Sequence, residues 1–123
     1  MATAVGEWMT AMEALGQQVL RHMAVGLGQS PDWFATGLTA DPTPLFRIFR
    51  YPPHPTGDTA TWGVGEHTDY GLLTLLATDG TPGLEVKVQG EWIAAPADAD
   101  LVICNLGDML DRVTAGRYRS NPH

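Results

Sequence analysis

The sequence is poor in cysteine, in basic residues and in long apolar runs. Cys104 is the single cysteine among 123 residues, so no internal disulfide can form. Lys and Arg total 7 against 14 Asp and Glu, and the net charge of -7 disfavours binding to nucleic acid or anionic lipid. No apolar run reaches the roughly 18 residues that cross a bilayer. We therefore expect a soluble protein, and an N-terminus without signal-peptide character predicts a reducing cytoplasm.

The first third of the chain has the periodicity of a helix. From Val5 to Leu27 apolar residues recur at steps of three and four, which is the spacing of one buried helix face. Ser30 followed by Pro31 then combines an N-cap with a proline at the first helical position, and this pair predicts a second, short helix. A length of 123 residues allows one domain at most.

After residue 41 the pattern changes to short apolar runs separated by glycine, proline and aspartate, which is typical of strands and turns. Gln89-Gly90 predicts a tight hairpin turn, and the segment PPHPTGDTAT at 52–61 predicts an exposed loop. The predicted strands are Leu45 to Tyr51, Leu72 to Ala77, Leu84 to Val88, Trp92 to Ala94 and Leu101 to Asn105.

His67 and Asp69 stand two residues apart, just before an apolar run. On an extended chain such residues project to the same side, so both can reach one metal ion. The bland alternative is a solvated turn that leads into a strand. A third ligand has to come from elsewhere, and His22 lies in the predicted helix while His54 lies in the proline-rich loop. His123, the remaining histidine, is the natural candidate.

Five segments together resemble the isopenicillin N synthase-like branch of the Fe(II)/2-oxoglutarate-dependent dioxygenases. They occur in the order that this family has, and five ordered motifs are far more specific than one His-x-Asp pair. The segments are FRYPP at 49–53, HTDYGLLTLL at 67–76, GLEVKVQGEWIAAP at 83–96, NLGDML at 105–110 and GRYRSNPH at 116–123.

The resemblance implies a fold that is mainly β with N-terminal helices (α+β), built on a partial double-stranded β-helix, or jelly roll. Residues 1–40 would form an N-terminal helical region and residues 41–123 a partial dioxygenase domain. The family's next segments, Arg-Val and a later Arg-x-Ser that grips a carboxylate, have no counterpart in these 123 residues. The resemblance therefore also implies an enzyme truncated at its C-terminus.

Carried over by residue, the resemblance makes His67, Asp69 and His123 the ligands of Fe(II), with Tyr51 and Asn105 lining a cosubstrate or substrate pocket. The implied cosubstrates are 2-oxoglutarate and dioxygen, and the partner is a small organic substrate. Tyr51 has an equally weighted alternative as a buried aromatic residue. For Asn105 and Asp108 the alternative is turn chemistry at a strand end, and Cys104 is expected to be an inert apolar residue.

Three other functions stay open at this point. An isopenicillin N synthase-like oxidase would have the same ligands but would use no 2-oxoglutarate. A cupin-like binding module, or an inactive truncated remnant, would have a related barrel without catalysis. A hydrolytic zinc site also uses two histidines and a carboxylate, but the sequence has no helix with His-Glu-x-x-His.

Overall fold

The computed structural model describes residues 2–52 and 62–123. Its elements follow in the order α1 (Ala2–Gly26), β1 (Leu73–Ala77), β2 (Glu85–Val88), β3 (Glu91–Ala94), β4 (Val102–Leu106) and α2 (Asp108–Val113). Helix α1 alone contains more residues than the four strands together, so the described chain is α+β rather than mainly β. Among the described residues, no helix is both long and apolar enough to cross a membrane.

The four strands form two antiparallel pairs. Strand β1 pairs with β4 from Leu73 opposite Leu106 to Ala77 opposite Val102. Strands β2 and β3 form a hairpin, and its two turn residues Gln89 and Gly90 have φ values of 53° and 91°. Positive φ at both turn positions matches the twist of a two-residue hairpin. The predicted turn and four of the predicted strands are therefore confirmed, with bounds that shift by no more than one residue.

Helix α1 packs on the β1–β4 sheet and supplies half of the buried core. Leu20 and Ala24 are buried on one face of α1, where they meet Phe34 and Leu110. The C-terminal end of α1 is held by Arg117, whose guanidinium donates to the carbonyl oxygens of Gly26 and Leu27, each at 3.1 Å. A cation at the end of a helix both satisfies its last carbonyls and complements its dipole.

Two predicted elements are wrong in the described structure. Residues 31–39 form a run of turns instead of a regular helix, although Ser30 Oγ accepts from the Asp32 amide as the N-cap prediction requires. Backbone hydrogen bonds between residues three apart, such as the one from the Gly37 amide to the Phe34 carbonyl, tighten this segment. The turns leave Phe34 only 1% exposed. Its geometry thus follows the need to place one aromatic ring in the core.

The segment 45–51 forms no strand within the described ranges, and its apolar side chains are exposed. A strand needs a neighbour for its backbone groups, and neither two-stranded sheet includes this segment. The β propensity of these residues was therefore not sufficient to predict their conformation. The predicted loop that follows falls largely on residues 53–61, which lie outside the described residues, as does His54.

Candidate metal centre

The backbones of His67 and His123 lie side by side. The His67 amide donates to the His123 carbonyl at 3.0 Å, and the His123 amide donates to the His67 carbonyl at 2.9 Å. Two residues that exchange both bonds form an antiparallel pair whose side chains share one face. Asp69 lies two residues beyond His67, and its carboxylate reaches the same cluster as the two rings. This pairing brings the chain's last residue to the predicted His-x-Asp segment.

The three predicted ligands form one cluster. Each of His67, Asp69 and His123 offers one nitrogen or oxygen atom, and these atoms lie within 4.8 Å of one another. Ligand atoms lie about 2.0–2.2 Å from a divalent transition metal, so neighbouring ligand atoms in an octahedral shell are about 3 Å apart. The three side chains therefore have to move closer together to share an ion. It is the one such group of three that a search of residues 2–52 and 62–123 finds.

Both histidine rings are held in the tautomer that a metal requires. The Nδ1 of His67 lies 3.0 Å from the Gly65 carbonyl, and the Nδ1 of His123 lies 3.2 Å from the Asn121 carbonyl. A carbonyl oxygen only accepts, so each Nδ1 carries the proton and Nε2 is the ring nitrogen left to accept a hydrogen bond or a metal ion. Orientation of a ligand histidine through its second nitrogen is the usual arrangement at metal sites.

The Asp69 carboxylate has a buried oxygen without a hydrogen-bond partner. Its Oδ2 is inaccessible to solvent and finds no donor among the described residues, and it lies 3.9 Å from His123 Nε2. A buried polar atom normally has a partner, because its desolvation otherwise costs about 1–3 kcal/mol. A divalent cation between this oxygen and the two Nε2 atoms would remove that cost. Two imidazoles and a carboxylate suit a first-row transition metal that keeps open positions.

Helix α2 holds the Asp69 segment in place. The amide of Asp108 donates to the Asp69 carbonyl at 2.7 Å, and the Gly107 amide donates to the Leu72 carbonyl at 3.0 Å. On the other side of the chain, Thr68 Oγ1 donates to Asp108 Oδ2 at 3.1 Å. Asn105 lies in β4, and the alternative of turn chemistry is wrong for Asp108, which begins a helix. Acidic residues in its first turn and Arg112 in its last were the signal that could have predicted it.

Asn105 lies at the edge of the cluster. Its Nδ2 is 3.2 Å from His123 Nε2, and it donates because Nδ1 of that ring already holds the proton. Asn105 also lines a cavity of ≈ 370 Å³ formed by the inner faces of β2, β3 and β4 together with Arg119 and Asn121. It therefore connects the predicted ligands to this cavity. Its predicted role as a pocket residue stays a prediction.

Tyr51 is not buried. Its side chain is 57% exposed and stacks on Phe49 with ring centroids 6.1 Å apart. The ring also lies against Gly63, where an added Cβ would come within 2.7 Å of it. The alternative of a buried aromatic residue is therefore wrong, and the predicted pocket role stays a prediction.

Cys104 is half-buried in β4, opposite Leu75, and burial raises the pKa of its thiol above the ordinary value. The thiolate is the reactive form, so we expect alkylation by iodoacetamide to be at least severalfold slower than in the unfolded chain. Because the pKa of the thiol is higher in the folded than in the unfolded protein, the buried neutral thiol stabilises the fold fully below the pKa of the unfolded chain, about 8.5. This stabilisation is lost as the pH rises through the pKa of the folded protein.

Two measurements check this expectation for Cys104. Alkylation is followed by mass at a series of pH values, with and without denaturant. Urea unfolding at mildly and strongly alkaline pH is then compared with Cys104→Ala, which should lose less stability between the two conditions. Equal alkylation rates for folded and unfolded protein would contradict the effect of burial.

Comparison with known proteins supports the same interpretation. The family model for the 2OG-Fe(II) oxygenase superfamily matches residues 42–123. The chain belongs to this superfamily. This result places the HTDYGLLTLL and GRYRSNPH segments inside the family match, as the resemblance implied.

Curated relatives match nearly the whole chain. A Dictyostelium discoideum protein named "Probable iron/ascorbate oxidoreductase" is 45% identical over 89% of this chain and 34% of its own length. The 2-oxoglutarate-dependent dioxygenase caaD of Aspergillus niger is 40% identical over 97% of this chain and 38% of its own length. The chain thus spans about one third of the length of the curated relatives that it matches.

A solved structure shows the same fold. A full-length Neurospora crassa protein, crystallised in complex with alpha-KG, superposes with a TM-score of 0.77 and 24% identity over 98% of this chain and 38% of that one. At this identity the similarity concerns the fold alone. It agrees with a helix-flanked jelly roll of which the described strands form part.

Proposed function

We propose that this chain carries the iron site of a dioxygenase that couples oxidative decarboxylation of 2-oxoglutarate to oxidation of a small organic substrate. His67, Asp69 and His123 hold Fe(II) in this proposal. The observation that carries it is the buried, unpartnered Oδ2 of Asp69, which faces His123 Nε2 at 3.9 Å within a three-residue cluster. Membership of the superfamily supports the identity of the metal and of the cosubstrate.

The chain's own residues bind and orient the ion. Gly65 and Asn121 carbonyls hold the two rings with Nε2 deprotonated, and the Asp69 carboxylate neutralises part of the ion's charge. When bound, iron supplies the redox chemistry that dioxygen requires, which amino-acid side chains lack. Three protein ligands leave half of an octahedral shell open for a bidentate organic acid and for dioxygen.

The overall reaction in this proposal consumes one dioxygen for each 2-oxoglutarate. One oxygen atom enters succinate as the C1 carboxylate leaves as carbon dioxide, and the other enters the organic substrate, where a C–H bond becomes C–OH. In this reaction the protein's residues position the ion and exclude water from it, and they do not act as general acids or bases. The side chains of His123 and Asp69 are 9% and 21% exposed, whereas His67 is exposed, so the site is shielded from water on the side of His123 and Asp69.

Other assignments are part of the same proposal. Tyr51 and Asn105 line the cosubstrate or substrate pocket. The bond from Asn105 Nδ2 to His123 Nε2, which the ion would replace, places Asn105 beside the proposed site. Residues 41–123 form a partial double-stranded β-helix, and residues 1–40 form the helical region that covers it. This region shares its core with the β part through Leu20 and Leu110. A reducing cytoplasm fits the single cysteine.

Metal binding and succinate release test the proposal. The protein is freed of metal with a chelator and titrated with Co(II) in a calorimeter, and then assayed for Fe(II)-dependent formation of succinate from 2-oxoglutarate. His67→Ala should lose Co(II) binding. His22→Ala is the matched control, because His22 lies on α1, outside the cluster, with its Nδ1 bonded to the Gln18 carbonyl. Equal Co(II) binding by both variants would refute the assignment of His67.

An oxidase that uses no 2-oxoglutarate is the second candidate. It is favoured by the name of the 45% identical relative, which refers to iron and ascorbate and not to 2-oxoglutarate. Both candidates use the same three ligands, so the Co(II) titration does not separate them. Formation of succinate in proportion to dioxygen consumed supports the dioxygenase, and dioxygen consumption without succinate supports the oxidase.

A further inference from the structure

Two carboxylates of α2 contact the two chain segments that carry the predicted ligands. Asp108 begins the helix and bonds to Thr68, as described above. Asp111, one turn later, is half-buried, and its Oδ2 accepts a hydrogen bond from the Ser120 amide at 2.9 Å. Ser120 lies three residues before His123, on the segment that carries the last predicted ligand. The same short helix therefore contacts both of the segments that carry ligands.

From these contacts we propose that Asp111 is a positioning residue for His123. Its carboxylate fixes the backbone of Ser120, and through it the path of the chain into His123. This inference rests on the proposed function, because it assumes that His123 is a metal ligand. Asp111 itself touches neither the ion nor a substrate in this proposal.

The geometry around Asp111 is that of an organised turn. Its main-chain carbonyl accepts from the Gly116 amide at 2.9 Å, while the Thr114 hydroxyl accepts from the Tyr118 amide at 3.1 Å. Thr114 is buried to 5% exposure, so the end of α2 is anchored in the core. The Asp111 carboxylate thus extends a rigid anchor to the third residue before His123.

Beyond Ser120, the final segment is held at two other points. The Pro122 carbonyl accepts from the Lys87 amide at 2.8 Å, and His123 pairs with His67. These bonds hold the backbone against β2 and the His67 segment. The Asp111 bond adds a third point of attachment at Ser120, and a shift of the segment after its loss would carry His123 Nε2 away from Asp69. A charged acceptor that bonds a backbone amide is stronger than a neutral one, which suits this task.

The test compares three substitutions of Asp111. Asp111→Ala removes the acceptor, Asp111→Asn keeps an oxygen at the same reach, and Asp111→Glu keeps the charge but displaces it by one methylene group. Arg112→Ala is the control, since Arg112 is exposed on the same helix. The readouts are Co(II) affinity by calorimetry, the visible absorption spectrum of the Co(II) protein, and thermal unfolding of the metal-free protein.

We expect Asp111→Ala to weaken Co(II) binding about tenfold to a hundredfold, the range usual for residues that orient metal ligands. Its Co(II) spectrum should differ from the parent spectrum, which a purely stabilising residue would not cause. Asp111→Asn should restore both affinity and spectrum, and Arg112→Ala should match the parent. An alanine variant that binds Co(II) within twofold of the parent with an unchanged spectrum overturns the proposal.

If the alanine variant does not fold, the glutamate variant decides. Parent-like affinity and spectrum in Asp111→Glu overturn the positioning role, and weakened affinity with an altered spectrum supports it.

Failure of the proposed function would give a different result. A parent protein that binds no Co(II), or that binds it undiminished after His67→Ala, refutes the metal centre and the Asp111 role with it. If Co(II) binding depends on His67 but is unchanged by substitution of Asp111, only the positioning role is refuted.

Discussion

Replacement of Asp69 by asparagine is expected to abolish metal binding and to stabilise the metal-free protein. Asparagine keeps the shape of the side chain but removes its negative charge. Loss of a carboxylate that ligates the ion should exceed the tenfold to hundredfold cost of losing an outer-shell partner, so Co(II) affinity should fall more than about a hundredfold. This loss should exceed the one predicted for Asp111→Ala.

The opposite effect on stability follows from the unpartnered oxygen. Asp69 Oδ2 is buried without a hydrogen bond in the described structure, and the side chain as a whole is 21% exposed. An uncompensated buried charge destabilises a fold, and partial exposure reduces that cost, so we expect a gain of about 1 kcal/mol in the free energy of unfolding. Sites that sacrifice stability for binding behave in this way.

Urea unfolding in the presence of a chelator and Co(II) calorimetry measure the two effects on the Asp69→Asn protein. Asp41→Asn is the matched control, because Asp41 is exposed and lies on the loop before the β region. It should leave both quantities within experimental error of the parent. A loss of stability in metal-free Asp69→Asn would mean that the carboxylate serves the fold, and it would count against the metal centre.

Replacement of Gly107 by alanine is expected to disrupt the fold around the cluster. A Cβ at this position would overlap the carbonyl group of Gly71 and lie 3.0 Å from the Asp69 carbonyl oxygen. Both are backbone atoms, so no flexible side chain can move aside. The backbone of Gly107 is extended, with φ −94° and ψ 168°, which means that the constraint is close approach and not an unusual conformation.

The expected cost is about 3 kcal/mol in the free energy of unfolding, at the upper end for added volume in a packed site. To make room, α2 has to move away from residues 69–72. That movement breaks the amide bonds from Gly107 and Asp108 and displaces Asp69, so Co(II) affinity should fall as well.

Gly71→Ala is the control for this prediction. Gly71 is the glycine that Gly107 touches, yet a Cβ on Gly71 would meet nothing within 4 Å. Its stability should change by no more than about 0.5 kcal/mol. Guanidinium unfolding of the two variants checks the difference, and similar midpoints for both would show that the close contact at Gly107 is relaxed in solution.

The elements that the sequence predicted well are those whose pattern is local. Helix α1 follows from apolar spacing, and the β2–β3 hairpin follows from a glycine turn between two short runs. The segment 45–51 has an equally good strand pattern but forms no strand in the described structure, since strand formation requires a partner that local pattern does not specify. The family resemblance drawn from the five segments is also confirmed, because the family model matches residues 42–123.

The short helix α2 is the clearest omission. Its six residues follow Asn-Leu-Gly, a sequence that is also typical of a turn at a strand end. A helix of this length is not stable by itself in water, so its existence depends on tertiary contacts. Those contacts are the bonds to Asp69 and Ser120 and the burial of Leu110, none of which has a local signature.

By itself the sequence determined the ligand types and the local geometry of two of them, because a separation of two residues on an extended chain places His67 and Asp69 on one face. Only the tertiary structure decided that His123 lies opposite His67, that both rings carry their proton on Nδ1, and that an Asp69 oxygen is buried without a partner among the described residues. The physical reason is the separation along the chain of the residues that interact. Backbone periodicity sets which neighbours share a face, whereas pairing between distant segments depends on the packing of the whole chain.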